Sequence, residues 1–299
     1  FYSDGISDNA VTYIRDHTQD HSNKPFFLYV SYTSAHWPMS PGALSWGKSP
    51  HKKWDIRCME VYAAMVDNMD QGIGRIVAEL RRAKILENTI VIYLQDNGGC
   101  AEGYGRRDNS DKKSKFDFKP FGPNDLQTKI WPPMQTRDGR WVRTGPPSMP
   151  GTEDTFVAYG QGWANTSNTP IRGYKHDGYE GGISTPFIIH WPAGTERKHR
   201  NSIIHTPTHL IDLMATFVEA ANAEYPKTYQ GETIHPMEGV SLLPVLAGKS
   251  SQRIALSGPP PRRTFRAAFT TVDKASKPPA DVPTTTAPHV SGSFMISPS

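Results

Sequence analysis

Asp96 and Asn97 stand in the run Gln95-Asp96-Asn97-Gly98-Gly99, directly after the apolar stretch Thr89-Ile90-Val91-Ile92-Tyr93-Leu94. That stretch has the length and β-branched content of a buried strand, so a carboxylate and an amide are delivered to the point where a strand ends. Both offer oxygen. Hard cations such as calcium or magnesium take oxygen ligands, whereas zinc more often recruits imidazole or thiolate. In open α/β sheets ligands bind beyond the strand ends, and a glycine pair lets the backbone turn sharply there. An Asn-Gly turn with Asp96 as a cap is the plain structural alternative, which these residues alone leave open.

Two further segments present chemistry in the same way. Lys24 to Tyr32 reads as a strand that delivers His36 into the loop Ala35-His36-Trp37-Pro38. Arg172 to Gly182 is a glycine-rich loop that places Lys175 shortly before a third apolar run, Thr185 to Trp191, where it could face an anion. A lone histidine beside a tryptophan is more often structural, and a lone loop lysine is more often solvated. Three such segments in one chain are harder to assign to chance.

Together these residues resemble the sulfatase family, specifically the bacterial arylsulfatase type. The resemblance rests on Ala35-His36-Trp37-Pro38, on Met65-Val66-Asp67-Asn68-Met69-Asp70 with Gly72 and Gly74, and on Asp96-Asn97-Gly98-Gly99. It extends to Lys175 with Tyr179-Glu180-Gly181-Gly182 and to Met237-Glu238-Gly239-Val240-Ser241-Leu242, and so covers roughly residues 1–248. It implies an α/β fold with a mostly parallel central sheet covered by helices, as in alkaline-phosphatase-like enzymes, incomplete at its N-terminal side. It implies hydrolysis of a sulfate ester. By the same carry-over, Asp96 and Asn97 are calcium ligands, Lys175 binds the sulfate as a compact positive charge, and His36 contacts the sulfate and protonates the leaving oxygen. Export to the periplasm or outside the cell is implied as well. His176, beside Lys175, has no role in the family pattern.

Sulfatases carry a Cys-x-Pro/Ala-x-Arg segment, or its serine form, whose first residue becomes the formylglycine nucleophile. Neither Cys58-Met59-Glu60-Val61 nor Cys100-Ala101-Glu102-Gly103 matches it. The nucleophile, the remaining aspartates of the calcium site and an early lysine and histidine are therefore expected upstream of Phe1, and this chain is expected to be inactive alone. The connection from Trp37 to Arg57 is short for the family. From about Lys249 the resemblance stops, and residues 249–299, rich in proline, serine and threonine, are expected to form a disordered or aberrant tail.

Composition fits part of a globular enzyme. The 299 residues suffice for a sizeable core, and the formal charge of +4 is small. We find no basic face interleaved with aromatics, which argues against nucleic acid as a partner, and no apolar stretch near the roughly 20 residues that span a bilayer. The partner expected is a sulfate ester, aryl or carbohydrate. Two cysteines build no disulfide framework. Asn165-Thr166-Ser167 matches a glycosylation acceptor, a pattern that recurs by chance.

The elements that must hold these residues alternate between helical and strand patterns. Ile6, Ala10, Tyr13 and Ile14 mark a first helix, and Cys58, Val61, Tyr62, Met65, Met69, Ile73, Ile76 and Leu80 form a second stripe between Arg57 and Ala83. Its methionines fit core filling better than a ligand groove. Leu210, Leu213, Met214, Phe217, Val218 and Ala221 form a third helix, and the alternation predicts a covered α/β sheet. Between Gly98 and Thr185 runs an irregular connection. Its Trp131, Trp141 and Trp163 either line a substrate pocket or pack the connection onto the domain. Two other readings remain: a phosphomonoesterase or phosphodiesterase of the same superfamily, disfavoured because its dizinc members place histidine where Asn97 stands, and a non-catalytic carbohydrate- or calcium-binding protein.

Overall fold

A computed structural model describes residues 2–36, 39, 54–110, 116–249, 265–266 and 291–296. In chain order the elements begin with α1 (Tyr2–Asp20), β1 (Phe27–Ser31), α2 (Trp54–Arg82) and β2 (Ile90–Gln95). The middle of the chain holds α3 (Gln161–Asn168), α4 (Glu180–Ile183) and β3 (Phe187–His190). Then come β4 (Pro207–Thr208), α5 (Ile211–Ala220), β5 (Thr228–Tyr229), β6 (Glu232–Thr233), α6 (Leu243–Leu246), β7 (Phe265–Arg266) and β8 (Ser291–Ile296).

The principal sheet has the order β1-β8-β2-β3. Alternation along β2 builds a core on each face. Ile90, Ile92 and Leu94 join Phe187, Ile189, Leu213, Phe217, Leu242, Val245 and Leu246 on one side. Val91 and Tyr93 pack on the other against Ala10, Ile14, Val30, Met69, Ile76 and Leu80. The apolar stripe of α2 serves two clusters. Its C-terminal half meets α1 and β1, while Cys58, Val61, Tyr62 and Met65 sit with Ala35, Cys100, Val157 and Tyr159. Met65 and Met69 are core residues, as their spacing predicts. Gly72 sits where α1 crosses α2: a Cβ there would lie 2.1 Å from Ser7 Oγ, whose hydroxyl shares a 2.8 Å hydrogen bond with Tyr32.

The α/β class and covered sheet hold, but the strand directions differ from a mostly parallel sheet. β1 and β2 run the same way, yet β8 lies antiparallel between them and β3 is antiparallel to β2. The reason for β3 is local: the connection leaves β2 and re-enters at the same end, where Thr185 Oγ1 donates to Gln95 O at 3.0 Å, so β3 must run back. Of the tail after Lys249, only β7 and β8 are described, β7 pairing with β4. The rest of the expected disordered tail, and most of the short Trp37–Arg57 connection, lie outside the described residues.

The motif Met237 to Leu242 has a packing role. Buried Asp212, near the start of α5, accepts from Val240 N–H at 3.0 Å and from His209 N–H at 2.7 Å, and Thr216 Oγ1 accepts from Leu242 N–H. Gly239, at φ 90°, passes close over the Ile211 carbonyl, where a side chain does not fit.

Candidate active site

Sheet register brings the three candidate segments to one edge. Ser31 of β1 and Leu94 of β2 both face Gly292 of β8, and Leu94 faces Phe187 of β3. The loops bearing His36, Asp96-Asn97 and Lys175 therefore all leave the sheet at the same end. Beneath them, Ala35 and Cys100 share a buried cluster on which Tyr174 packs. Burial pushes the phenols of Tyr62 and Tyr159 in this cluster above their ordinary range, and the two rings stack 4.9 Å apart.

Backbone contacts tie the metal-type loop to the lysine loop. Gly98 N–H donates to Gly182 O at 3.1 Å, and Lys175 N–H donates to Gly99 O at 2.8 Å. A Cβ on Gly98 would stand 1.6 Å from Gly181 O, so the glycine pairs are required by contact between loops, and none of the four has a left-handed φ that turning would demand. Asp96 is exposed and Asn97 half-buried. The Asn97 amide donates to Gly98 O at 3.0 Å, which orients its oxygen to the other side. His36 is half-buried, its N–H bound to Thr33 O at 3.0 Å.

Lys175 and His176 are the two corners of a β-turn closed by Asp177 N–H to Tyr174 O at 2.9 Å. His176, at φ 79°, occupies the corner that ordinarily requires glycine. Its Nε2 lies 3.2 Å from a Glu102 carboxylate oxygen, and the other Glu102 oxygen accepts from Cys100 Sγ at 3.1 Å. All three tryptophans make packing contacts, and Trp131 is also 40% exposed. Trp131 lies against Tyr104 and Phe156, Trp163 packs on the cluster around Cys100, and buried Trp141 donates to Asn109 while lining a cavity of about 550 Å³.

One organising residue carries no mark in the sequence. Asn168 closes α3 with its side chain buried between the loops, bonded to Gly99, Gly173 and Gly181. Its partners are main-chain atoms, and main-chain partners leave no residue-type signature.

The family model described as Sulfatase matches residues 2–223. The chain belongs to the sulfatase family. Among relatives, the arylsulfatase of Klebsiella aerogenes is 30% identical over 211 residues, covering 69% of this chain and 39% of that protein. An uncharacterized sulfatase of Schizosaccharomyces pombe is 32% identical over 196 residues, covering 64% of this chain and 30% of that protein. The crystal structure of Ps i-CgsB aligns with a TM-score of 0.48 and 20% identity over 82% of this chain and 38% of that one. The chain thus spans well under half the length of these relatives.

Among the described residues no group of three or more His, Cys, Asp and Glu side chains could hold a metal ion, and Asp96 and Asn97 offer at most three side-chain oxygens, two carboxylate and one amide, toward the six to eight that calcium takes. Their donor type fits a hard cation. No formylglycine precursor fits here: Cys58 is buried inside α2, Cys100 is buried against Glu102, and neither has the motif. No described helix is long and apolar enough to cross a membrane.

Proposed function

We propose that this chain supplies one side of the active site of a calcium-dependent sulfatase, with the formylglycine nucleophile carried by residues outside these 299. The observation that carries this reading is the Lys175 N–H to Gly99 O hydrogen bond, which fastens the candidate sulfate contact to the candidate metal loop. Asp96 and Asn97 would hold calcium, which when bound neutralises charge on the sulfate oxygens. The Lys175 ammonium adds a compact positive charge beside them. The His36 imidazole gives a proton to the departing alcohol oxygen, work suited to a ring that can both donate and accept a proton.

The test is hydrolysis of an aryl sulfate by the longer protein that carries this chain, coexpressed with a formylglycine-generating enzyme. Turnover should require calcium, and Lys175→Ala should lower kcat/KM by roughly two to three powers of ten with little change in melting temperature. Lys175→Arg should recover only part of this, because a planar fork does not fill the place of an ammonium. The 299-residue chain alone should show no turnover, since loss of a nucleophile from a cooperating set costs on the order of a millionfold. Calcium-dependent turnover by this chain alone, or normal turnover in Lys175→Ala, defeats the reading.

A further inference from the structure

Three backbone segments converge on the side chain of Asn168. Its Oδ1 accepts Gly99 N–H at 2.9 Å, and its Nδ2 donates to Gly173 O at 2.8 Å and to Gly181 O at 2.9 Å. The first partner follows Asp96 and Asn97, the second precedes Lys175 by two residues, and the third lies in α4. A primary amide has two N–H donors and an acceptor oxygen, and here all are engaged in one orientation. Flipping the amide sets NH₂ against N–H and oxygen against two carbonyls. A carboxylate has the shape but neither donor, and a glutamine side chain is one methylene too long.

The surroundings leave the amide no slack. A Cβ on Gly99 would lie 2.8 Å from Asn168 Oδ1, and one on Gly181 would lie 2.2 Å from Gly173 O. Asn168 itself is 7% exposed. Losing its hydrogen bonds strands one N–H and two C=O groups in a nearly dry place, which favours opening of the loop.

From this geometry we infer that Asn168 is a positioning residue: its amide fixes Lys175 relative to the Asp96-Asn97 pair without touching substrate. The inference rests on the proposed roles of those three residues, and its consequence is separable from them. If Asn168 acts only by holding the two loops in register, its loss should loosen them while the sheet beneath stays intact.

The experiment compares Asn168→Asp and Asn168→Ser with the parent in the longer protein. Asn168→Ser, smaller and able both to donate and to accept, guards against misfolding of the isosteric carboxylate. Amide hydrogen exchange is read at Gly99 and Lys175, with Ile92 in β2 as the internal reference. Inorganic sulfate and calcium affinities are measured well below the melting temperature, together with kcat and KM for an aryl sulfate. Expected are exchange at Gly99 and Lys175 accelerated by at least about tenfold with Ile92 unchanged, sulfate affinity weakened by about tenfold, and a matching fall in kcat/KM. Unchanged exchange at those two amides overturns the inference. So does acceleration that includes Ile92, which marks a general loss of stability, or local loosening with sulfate affinity and kinetics intact. A parent enzyme without sulfatase turnover defeats the proposed function, while the exchange and ion affinities still decide whether Asn168 holds the loops.

Discussion

Asp96 is an exposed carboxylate whose backbone is fixed by the glycines that follow, so its substitution should act on ligand binding with little effect on folding. In the full-length sulfatase proposed above, Asp96→Ala should abolish most calcium binding by calorimetry, whereas the 299-residue chain alone should bind calcium weakly. Equal tight binding by both parent forms contradicts a shared cage. The residues named from the sequence at this edge were legible because each stands in a punctuated run: Asp96 and Asn97 before two glycines, Lys175 between glycines, His36 before a proline. Asn168 was not, because what it does depends on backbone atoms brought to it by folding. His176 lacked a signal for a related reason: its positive φ belongs to the turn and leaves no trace in residue type.

Helices and strands were easier to read, since burial imposes a period on sequence. The stripes assigned to α2 and α5 and the apolar runs of β1, β2 and β3 all appear, with ends displaced by a few residues. Helix α3 was hidden in the long connection because a short element gives too few repeats to establish a period. Glu79, buried on α2, joins that helix to α1 through Arg15 and is also bound by Arg82 of its own helix. Hydrogen bonds from Arg82 first, and from Arg15 with its charge, hold the Glu79 carboxyl at about 2, against the opposing effect of burial. Its folded value is depressed below the ordinary 4.5, so its stabilisation is present above that pH and is lost as pH falls from 4.5 toward about 2. Urea unfolding across that window should show this loss, and Glu79→Gln should flatten it; an unchanged pH slope in the variant refutes the assignment. The same helix ends with Lys84 at φ 60°, with Ile85 N–H reaching back to Leu80 O and Lys84 N–H to Arg81 O. This left-handed cap favours glycine, so Lys84→Gly should stabilise the chain by about 1 kcal/mol, read as a higher melting temperature.

For the molecule as a whole, β8 is the seam between two halves of the sheet, with Phe294 facing Tyr29 on one side and Ile92 on the other. A strand paired on both edges commits its N–H groups, so Phe294→Pro should cost on the order of 1–3 kcal/mol in urea unfolding. An unchanged midpoint means that the seam contributes nothing. Strand direction was the least legible feature, because direction is set by where connections return, as with Thr185 beside Gln95, and periodicity carries no information about it. That return has a hereditary consequence. The long connection begins and ends at one point of the sheet, so recombination that exchanges it whole between related genes leaves both strands and both cores in place. Its two roots, the glycine contacts near 98 and 182, mark natural crossover boundaries. A lineage can then renew the block that carries Lys175 and its Asn168 clasp while inheriting His36 and the Asp96-Asn97 pair unaltered.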